Sequence, residues 1–145
     1  MPEAMTRWAP AVGGASAANA HQLLGRARLE LDAADASPDP QMRFLHAHMA
    51  AIRAAAAVLA VGGASARRRR RVLSVWEQLA ERGEHWESWA ALFAAGAPTR
   101  AAIEAGRADE LDDRVADAGV SAAESFLDEV AASLAAGELA APIAS

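Results

Sequence analysis

Apolar side chains recur every three or four residues along most of the chain, which predicts α-helices. From Ser16 to Ala36 the series is Ala20, Leu24, Ala27, Leu31 and Ala34, and from Pro40 to Val61 it is Leu45, Met49, Ile52, Ala56 and Leu59. Residues three and four apart lie on one helix face, so each segment can pack one face into a core. Alternation with period two, which is typical of strands, is absent. We therefore predict an all-α fold.

Proline, glycine and a capping residue mark the ends of these two helices. The segment "SPDP" at 37–40 ends the first helix, and it begins the second with Asp39 as N-cap and Pro40 at the first helical position. Two glycines at 62–63 are expected to end the second helix.

The middle of the chain continues the helical spacing with Val72, Trp76, Leu79, Trp86, Ala90 and Phe93. Either one helix runs from Ala66 to Ala95 or two helices meet near Gly83. We favour a break at Gly83, because strongly polar residues surround this glycine. Pro98 is expected to open a short helix that Gly106 closes.

The last helical segment carries Leu111, Val115, Ala118, Phe126, Leu127, Val130 and Leu134. We expect Gly119 to end one helix and Ser121-x-x-Glu124 to form a capping box that begins the next, with one continuous helix as the alternative. In total we predict an antiparallel bundle of about five helices at residues 16–136, a flexible arm at 1–15 and a disordered tail at 137–145.

The predicted core consists of the large apolar residues on these faces. They are Leu24, Leu31, Leu45, Met49, Ile52, Leu59, Trp76, Leu79, Trp86, Phe93, Phe126 and Val130. Trp89 lies one residue off the helical phase, so it is a candidate for a partner surface.

Composition limits the classes of function. A chain of 145 residues fits one domain, and a net charge of −5 with a pI of about 5.3 opposes a broad nucleic-acid footprint. The chain has no cysteine, no secretory signal pattern and no apolar run of the ~20 residues that span a bilayer. We therefore expect a soluble cytoplasmic protein that needs no membrane. Zinc-ligand spacing and Gly-rich phosphate loops are also absent, so we predict no cofactor and no metal site.

The stretch "RFLHAHMAAIRAAAAVLA" contains the strongest candidate for chemistry, Arg43 and His48. At about 100° per residue, the large apolar side chains of this helix centre near 180° from Arg43, and His48 lies at about 140°. His48 is therefore expected on the apolar face and Arg43 on the polar back. A histidine on an apolar face is either a structural core residue or a functional group.

A second candidate is the densest run of charge in the chain, which follows the second helix. It consists of Arg67, Arg68, Arg69, Arg70 and Arg71. These arginines either bind the phosphates of RNA or of a nucleotide, or form the solvent-exposed start of a helix near the acidic residues around Asp112.

The segments "AHMAAIRAAAAVLA" and "VWEQLA...W...WAALFAAGA" resemble a small actinobacterial, SAV-type family of the HEPN superfamily. The resemblance covers residues 18–131 and implies a helical bundle that commonly dimerises. It also implies a metal-independent ribonuclease when Arg-x4–6-His is present, a spacing that Arg43 and His48 fit. In that role His48 moves a proton and Arg43 stabilises charge on the phosphoryl oxygens.

Two functions therefore stay open at this point. The first is an RNA- or nucleotide-binding protein, with Arg43 and His48 as the catalytic pair of an endoribonuclease and a homodimer as the expected state. The second is a non-catalytic module for dimerisation or for a partner protein, in which both residues are structural.

Overall fold

The computed structural model describes the backbone of residues 2–61, 73–107 and 110–140, and the side chains of 16–61, 73–107 and 110–139. These residues form six α-helices and a 3-10 turn: α1 Pro2–Ala36, α2 Pro40–Ala60, α3 Val75–Ala80, α4 Glu84–Ala94, α5 Ala97–Glu104, α6 Asp113–Ala135 and the turn Glu138–Ala140. The described ranges contain no strand, which confirms the all-α prediction.

Helix α2 is the centre of the bundle. It packs along α1 and along α6, and it also contacts α3 and α5. The short link at 37–39 reverses the chain, so that α1 and α2 run antiparallel. Most of the buried residues of α2 are alanines. Small side chains let neighbouring helices approach closely, so α2 can be covered on several sides at once.

The predicted start of α2 is confirmed, and its end lies close to the predicted one, although the glycines at 62–63 lie outside the described residues. At the start, the Asp39 carboxylate accepts a hydrogen bond of 3.2 Å from the Gln41 backbone N–H, as an N-cap does. At the other end the helix stops at Ala60. There the guanidinium of Arg82 donates to the carbonyl of Leu59 over 3.2 Å, which satisfies an acceptor that a helix terminus leaves open.

The break at Gly83 is also confirmed, because α3 ends before this residue and α4 begins after it. Gly83 has φ 129°, a conformation that side-chain-bearing residues rarely adopt. Helix α3 opens with a capping box that the sequence analysis missed. Ser74 Oγ accepts from the Glu77 N–H at 3.1 Å, and the Glu77 carboxylate accepts from the Ser74 N–H at 2.9 Å, which lowers the pKa of Glu77.

The predicted helix end at Gly119 is wrong, and so is the capping box at Ser121. Helix α6 runs through both positions without interruption, as the alternative prediction had it. A Cβ atom at Gly119 would lie 3.6 Å from Cδ2 of Phe44 on α2, an ordinary van der Waals distance. Gly119 therefore lies where α6 packs against the Phe44 ring and does not end the helix.

Most of the predicted core is confirmed, including Leu79, Phe126 and Val130, which are fully buried. The buried face of α2 is the exception. Leu45, Met49 and Ile52 are only partly buried. At about 100° per residue, the buried positions centre near 60° from Arg43 instead of 180°. The core face of α2 consists of alanines together with a few larger side chains, and Arg43 lies at its margin.

Helix α1 begins at Pro2, well before the predicted start at Ser16. Proline is tolerated in the first turn of a helix, and an interior proline such as Pro10 is a local cost of about 3 kcal/mol, which does not forbid a helix. The boundaries of the arm, the bundle and the tail stay predictions, and residues 141–145 lie outside the described part. Among the described helices, none is long and apolar enough to cross a membrane.

Candidate functional site

Arg43 joins three parts of the fold at the start of α2. Its Nη2 donates to Asp113 Oδ1 over 2.7 Å and lies 3.3 Å from Asp117 Oδ1, both on α6. Its Nη1 donates to the carbonyls of Pro38 at 3.0 Å and Ser37 at 3.3 Å. The hydrogen bond to Asp113 and the charges of the two carboxylates raise the pKa of Arg43. The guanidinium therefore ties α2 to α6 and to the link from α1.

These contacts occupy both Nη1 and Nη2 of the Arg43 guanidinium. Only 14% of its side chain is exposed. The remaining donor, Nε, is buried and has no partner within the described residues. The side chain expected on the polar back of α2 thus faces α6, and its positive charge is already paired with two acidic residues.

His48 lies one turn further along α2 and is buried, with only 5% of the residue exposed. Its ring stacks on Phe44, with centroids 6.0 Å apart, and meets Trp76 edge to face at 6.0 Å. Burial and the nearby positive charge of Arg100 lower the pKa of His48 to about 4, although Glu104 acts in the opposite direction. The imidazole is therefore neutral at pH 7.

His48 is the one polar side chain in the lining of an otherwise apolar pocket of about 170 Å³, which is partly open to solvent. The lining residues come from α2, α4, α6 and the link after α4: Phe44, Ala47, His48, Leu92, Phe93, Gly96, Val115, Ala118, Gly119 and Ala122. Leu92 and Val115 are exposed large hydrophobic residues. Within the described residues, no hydrogen bond to the His48 ring is formed.

Gly96 lies against the rings of Phe44 and His48. A Cβ atom on Gly96 would lie 3.2 Å from Phe44 Cζ, a tight contact, and 3.5 Å from His48 Nδ1, an ordinary one. The backbone of Gly96 has φ −87°, which any residue adopts. A side chain at this position would therefore require the Phe44 ring to shift by a few tenths of an ångström.

Two further polar clusters connect helices, and the sequence analysis did not single them out. Between α1 and α2, the carboxylate of Glu30 lies 2.8 Å from His46 Nδ1 and 3.5 Å from Arg53 Nη2. Between α4 and α6, Glu129 accepts from the Trp89 indole and lies 3.3 Å from His85 Nε2. His46 and Arg53 share a helix face at a spacing of seven, which is the signal that could have found the first cluster.

Three of the aromatic residues of α3 and α4 belong to the core, as the sequence predicted. Trp76, Trp86 and Phe93 are buried. Trp89, the candidate for a partner surface, stacks on Phe93 with centroids 5.8 Å apart and also contacts Phe126 at 5.3 Å. Its ring is therefore engaged within the chain.

The two remaining predictions concern a metal site and the arginine run. Within the part of the chain that the structure describes, no group of three or more His, Asp or Glu residues is arranged to hold a metal ion. Residues 67–71 lie outside the described ranges, so their binding of phosphates stays a prediction.

The fold defines a class: an all-α bundle, whose central helix α2 also carries the Arg-x4-His spacing of Arg43 and His48. The SAV-like HEPN family model matches residues 34–131, from the end of α1 to the later turns of α6. The chain therefore belongs to this family of the HEPN superfamily. No curated protein and no solved structure gives a significant match to the chain.

The burial of His48 predicts a pH dependence of stability. Its pKa is about 4 in the folded protein and about 6.5 when unfolded, so the unfolded chain binds the proton more tightly. The contribution of His48 to the free energy of unfolding is greatest above about pH 6.5 and falls as the pH drops towards 4. We expect the free energy of unfolding to be lower at pH 4.5 than at pH 7.5 by about 2.5 kcal/mol on account of His48.

Urea denaturation of the wild type and of His48→Phe at both pH values measures this difference in the free energy of unfolding. The phenylalanine keeps an aromatic ring against Phe44 and Trp76 but cannot be protonated. The variant should lose less stability at pH 4.5 than the wild type. Equal losses in the two proteins would show that His48 does not cause the pH dependence.

Proposed function

We propose that this HEPN domain is a non-catalytic binding module and that the pocket beside His48 is its binding site. The supporting observation is the environment of the two motif residues. Arg43 is paired with Asp113 and Asp117, while His48 is enclosed by aromatic and apolar side chains.

A ribonuclease would need a different arrangement. Its arginine must be free to stabilise charge on the phosphoryl oxygens, and its histidine works best with a pKa near the operating pH. Here two carboxylates compete with any phosphate for Arg43. The lowered pKa of about 4 also makes His48 a poor general acid at pH 7. The geometry within one chain thus favours binding over cleavage.

Incubation of the purified protein with total RNA in the presence of a chelator tests this proposal, alongside His48→Ala and Arg43→Ala. We expect no cleavage above the buffer control, or equal cleavage by all three proteins, which would indicate a contaminant. Circular dichroism verifies that both variants stay helical. If the wild type cleaves and both folded variants do not, the domain is a ribonuclease. A dimer that brings Arg43 of one protomer beside His48 of the other would then explain how the two residues act together.

A second candidate is the binding of single-stranded RNA by residues 67–71, because five consecutive arginines are the densest positive charge in this acidic chain. Affinity should then fall steeply between ~50 and ~200 mM salt, with a slope of log affinity against log salt of about −3 to −4 at roughly 0.7 per phosphate contact. Replacing all five arginines with glutamine should abolish this slope. An unchanged affinity in the glutamine variant would exclude the run as the RNA site.

The homodimer expected from the sequence is part of the proposal that the domain is a binding module. The exposed side chains of Leu92 and Val115 beside the pocket give apolar surface to a partner, which is either a second copy or another protein. Sedimentation velocity over a range of concentrations distinguishes a monomer from a dimer.

A further inference from the structure

We infer that the pocket beside His48 binds one six-membered aromatic ring that carries a single neutral hydrogen-bonding group, the chemistry of a phenol. This inference deepens the proposed function and rests on it. It follows from three properties of the pocket: its size, its lining and its one polar side chain.

The size of the pocket fits one ring. Its volume is about 170 Å³. An engineered apolar cavity of about 150 Å³ in another protein holds benzene, so the space beside His48 suits a benzene ring with one or two small substituents. A ligand with several fused rings would have to project beyond the mouth at Leu92 and Val115.

The lining favours an aromatic ligand. Phe44 and His48 of α2 and Phe93 of α4 present rings, and aromatic pairs attract one another beyond the area that they bury. The α6 side carries Ala118, Gly119 and Ala122, which leave room for a flat group. Small residues alone would not define a site. Here they line the same pocket as the polar ring of His48.

That polar group is the imidazole of His48. Only 5% of the residue is exposed, and no hydrogen bond to the ring is formed within the described residues. Its nitrogens are not among the fully enclosed polar atoms that lack a partner, so they stay reachable from the partly open pocket, where a ligand can supply the hydrogen bond that buried polar side chains normally make. A neutral imidazole offers one donor and one acceptor. A phenolic hydroxyl complements either nitrogen, since it both donates and accepts a hydrogen bond.

The charges around the pocket argue for a neutral ligand. Arg100 and Glu104, the ionic groups that act on His48, are already 3.4 Å apart in an ion pair on α5. Arg43 is paired with acidic residues of α6. A carboxylate or phosphate in the pocket would therefore lose its hydration without gaining a free counter-charge. A nucleobase would leave several of its polar atoms unpaired against the apolar walls.

The chain itself cannot supply the phenol, because it contains no tyrosine. A second copy that inserted Leu92 or Val115 would leave the His48 ring unpaired. Two sources remain for the same chemistry: a free phenolic molecule, or a tyrosine side chain of another protein. N-acetyltyrosinamide and p-cresol distinguish them, because the amide binds only if the mouth admits a peptide backbone.

Isothermal titration of the full-length protein with p-cresol, toluene and N-acetyltyrosinamide tests the inference. We expect the wild type to bind p-cresol about 3–10-fold more tightly than toluene, the net effect of one hydrogen bond. In His48→Phe this preference should disappear. Binding of the amide would show that the pocket admits a tyrosine side chain of another protein, and its failure to bind while p-cresol binds would restrict the pocket to a free phenol.

A matched pair of variants locates the site. Ala122→Leu places a larger side chain in the lining of the pocket and should abolish binding of p-cresol, whereas Ala132→Leu makes the same change at an exposed position of α6 and should not. The inference is overturned if the wild type binds no ring at millimolar concentration, if toluene binds as tightly as p-cresol, or if Ala122→Leu still binds. RNA cleavage by the wild type would instead overturn the proposed function while leaving ring binding measurable.

Discussion

Replacing Phe126 with alanine should lower the free energy of unfolding by about 3–5 kcal/mol, the usual cost of removing a fully buried aromatic ring. Phe126 lies on α6 with no exposed surface. Its ring contacts Phe93 at 5.1 Å, Trp89 at 5.3 Å and Trp86 at 6.1 Å. In a core that otherwise consists largely of alanine, these rings supply much of the buried apolar area, so the cavity left by Phe126 has few neighbours able to fill it.

Urea denaturation followed by circular dichroism measures this loss. Leu92→Ala is the control, because Leu92 is a large apolar residue that is half exposed on the neighbouring helix α4. We expect that variant to change stability by less than about 1 kcal/mol. If the Phe126 and Leu92 variants lost similar amounts, Phe126 would not be a central core residue.

Replacing Ala54 with leucine should destabilise the protein by about 3 kcal/mol, at the upper end of the cost of overpacking a core. Ala54 has no exposed surface in α2, which packs against both α1 and α6. The extra carbon atoms would have to separate helices that approach through small side chains. Leucine has a high helix propensity, so the loss cannot come from the helix itself.

The control for this prediction is Ala132→Leu, the same substitution at an exposed position of α6. Its thermal midpoint should stay within a few degrees of the wild type. A variant at Ala54 that is as stable as the wild type would indicate that α2 is not packed tightly against its neighbours.

The helices themselves could be predicted from local signals. Asp39 and Pro40 begin α2, and Gly83 separates α3 from α4, because capping, proline geometry and positive φ depend on a few adjacent residues. Gly119 shows the limit of such signals. The same residue type can end a helix or lie within one, and here the packing of α6 along α2 favours the continuous helix.

The face of α2 could not be predicted in the same way. Large apolar side chains were taken to mark the core, which placed Leu45, Met49 and Ile52 inside. In the structure the alanines of α2 are buried, because a central helix between α1 and α6 needs small residues where the backbones approach. Arg43 consequently faces α6 and not solvent.

By itself, the sequence determined the all-α class, the family, most helix ends and the burial of Trp76, Trp86, Phe93 and Phe126, since these depend on periodicity and on neighbouring residues. Only the tertiary structure decided which side of α2 is buried, that Arg43 pairs with Asp113, and that His48 lines a pocket. Arg43 and Asp113 are 70 positions apart along the chain. Contacts between residues so distant depend on how whole helices pack, and no local pattern specifies that packing.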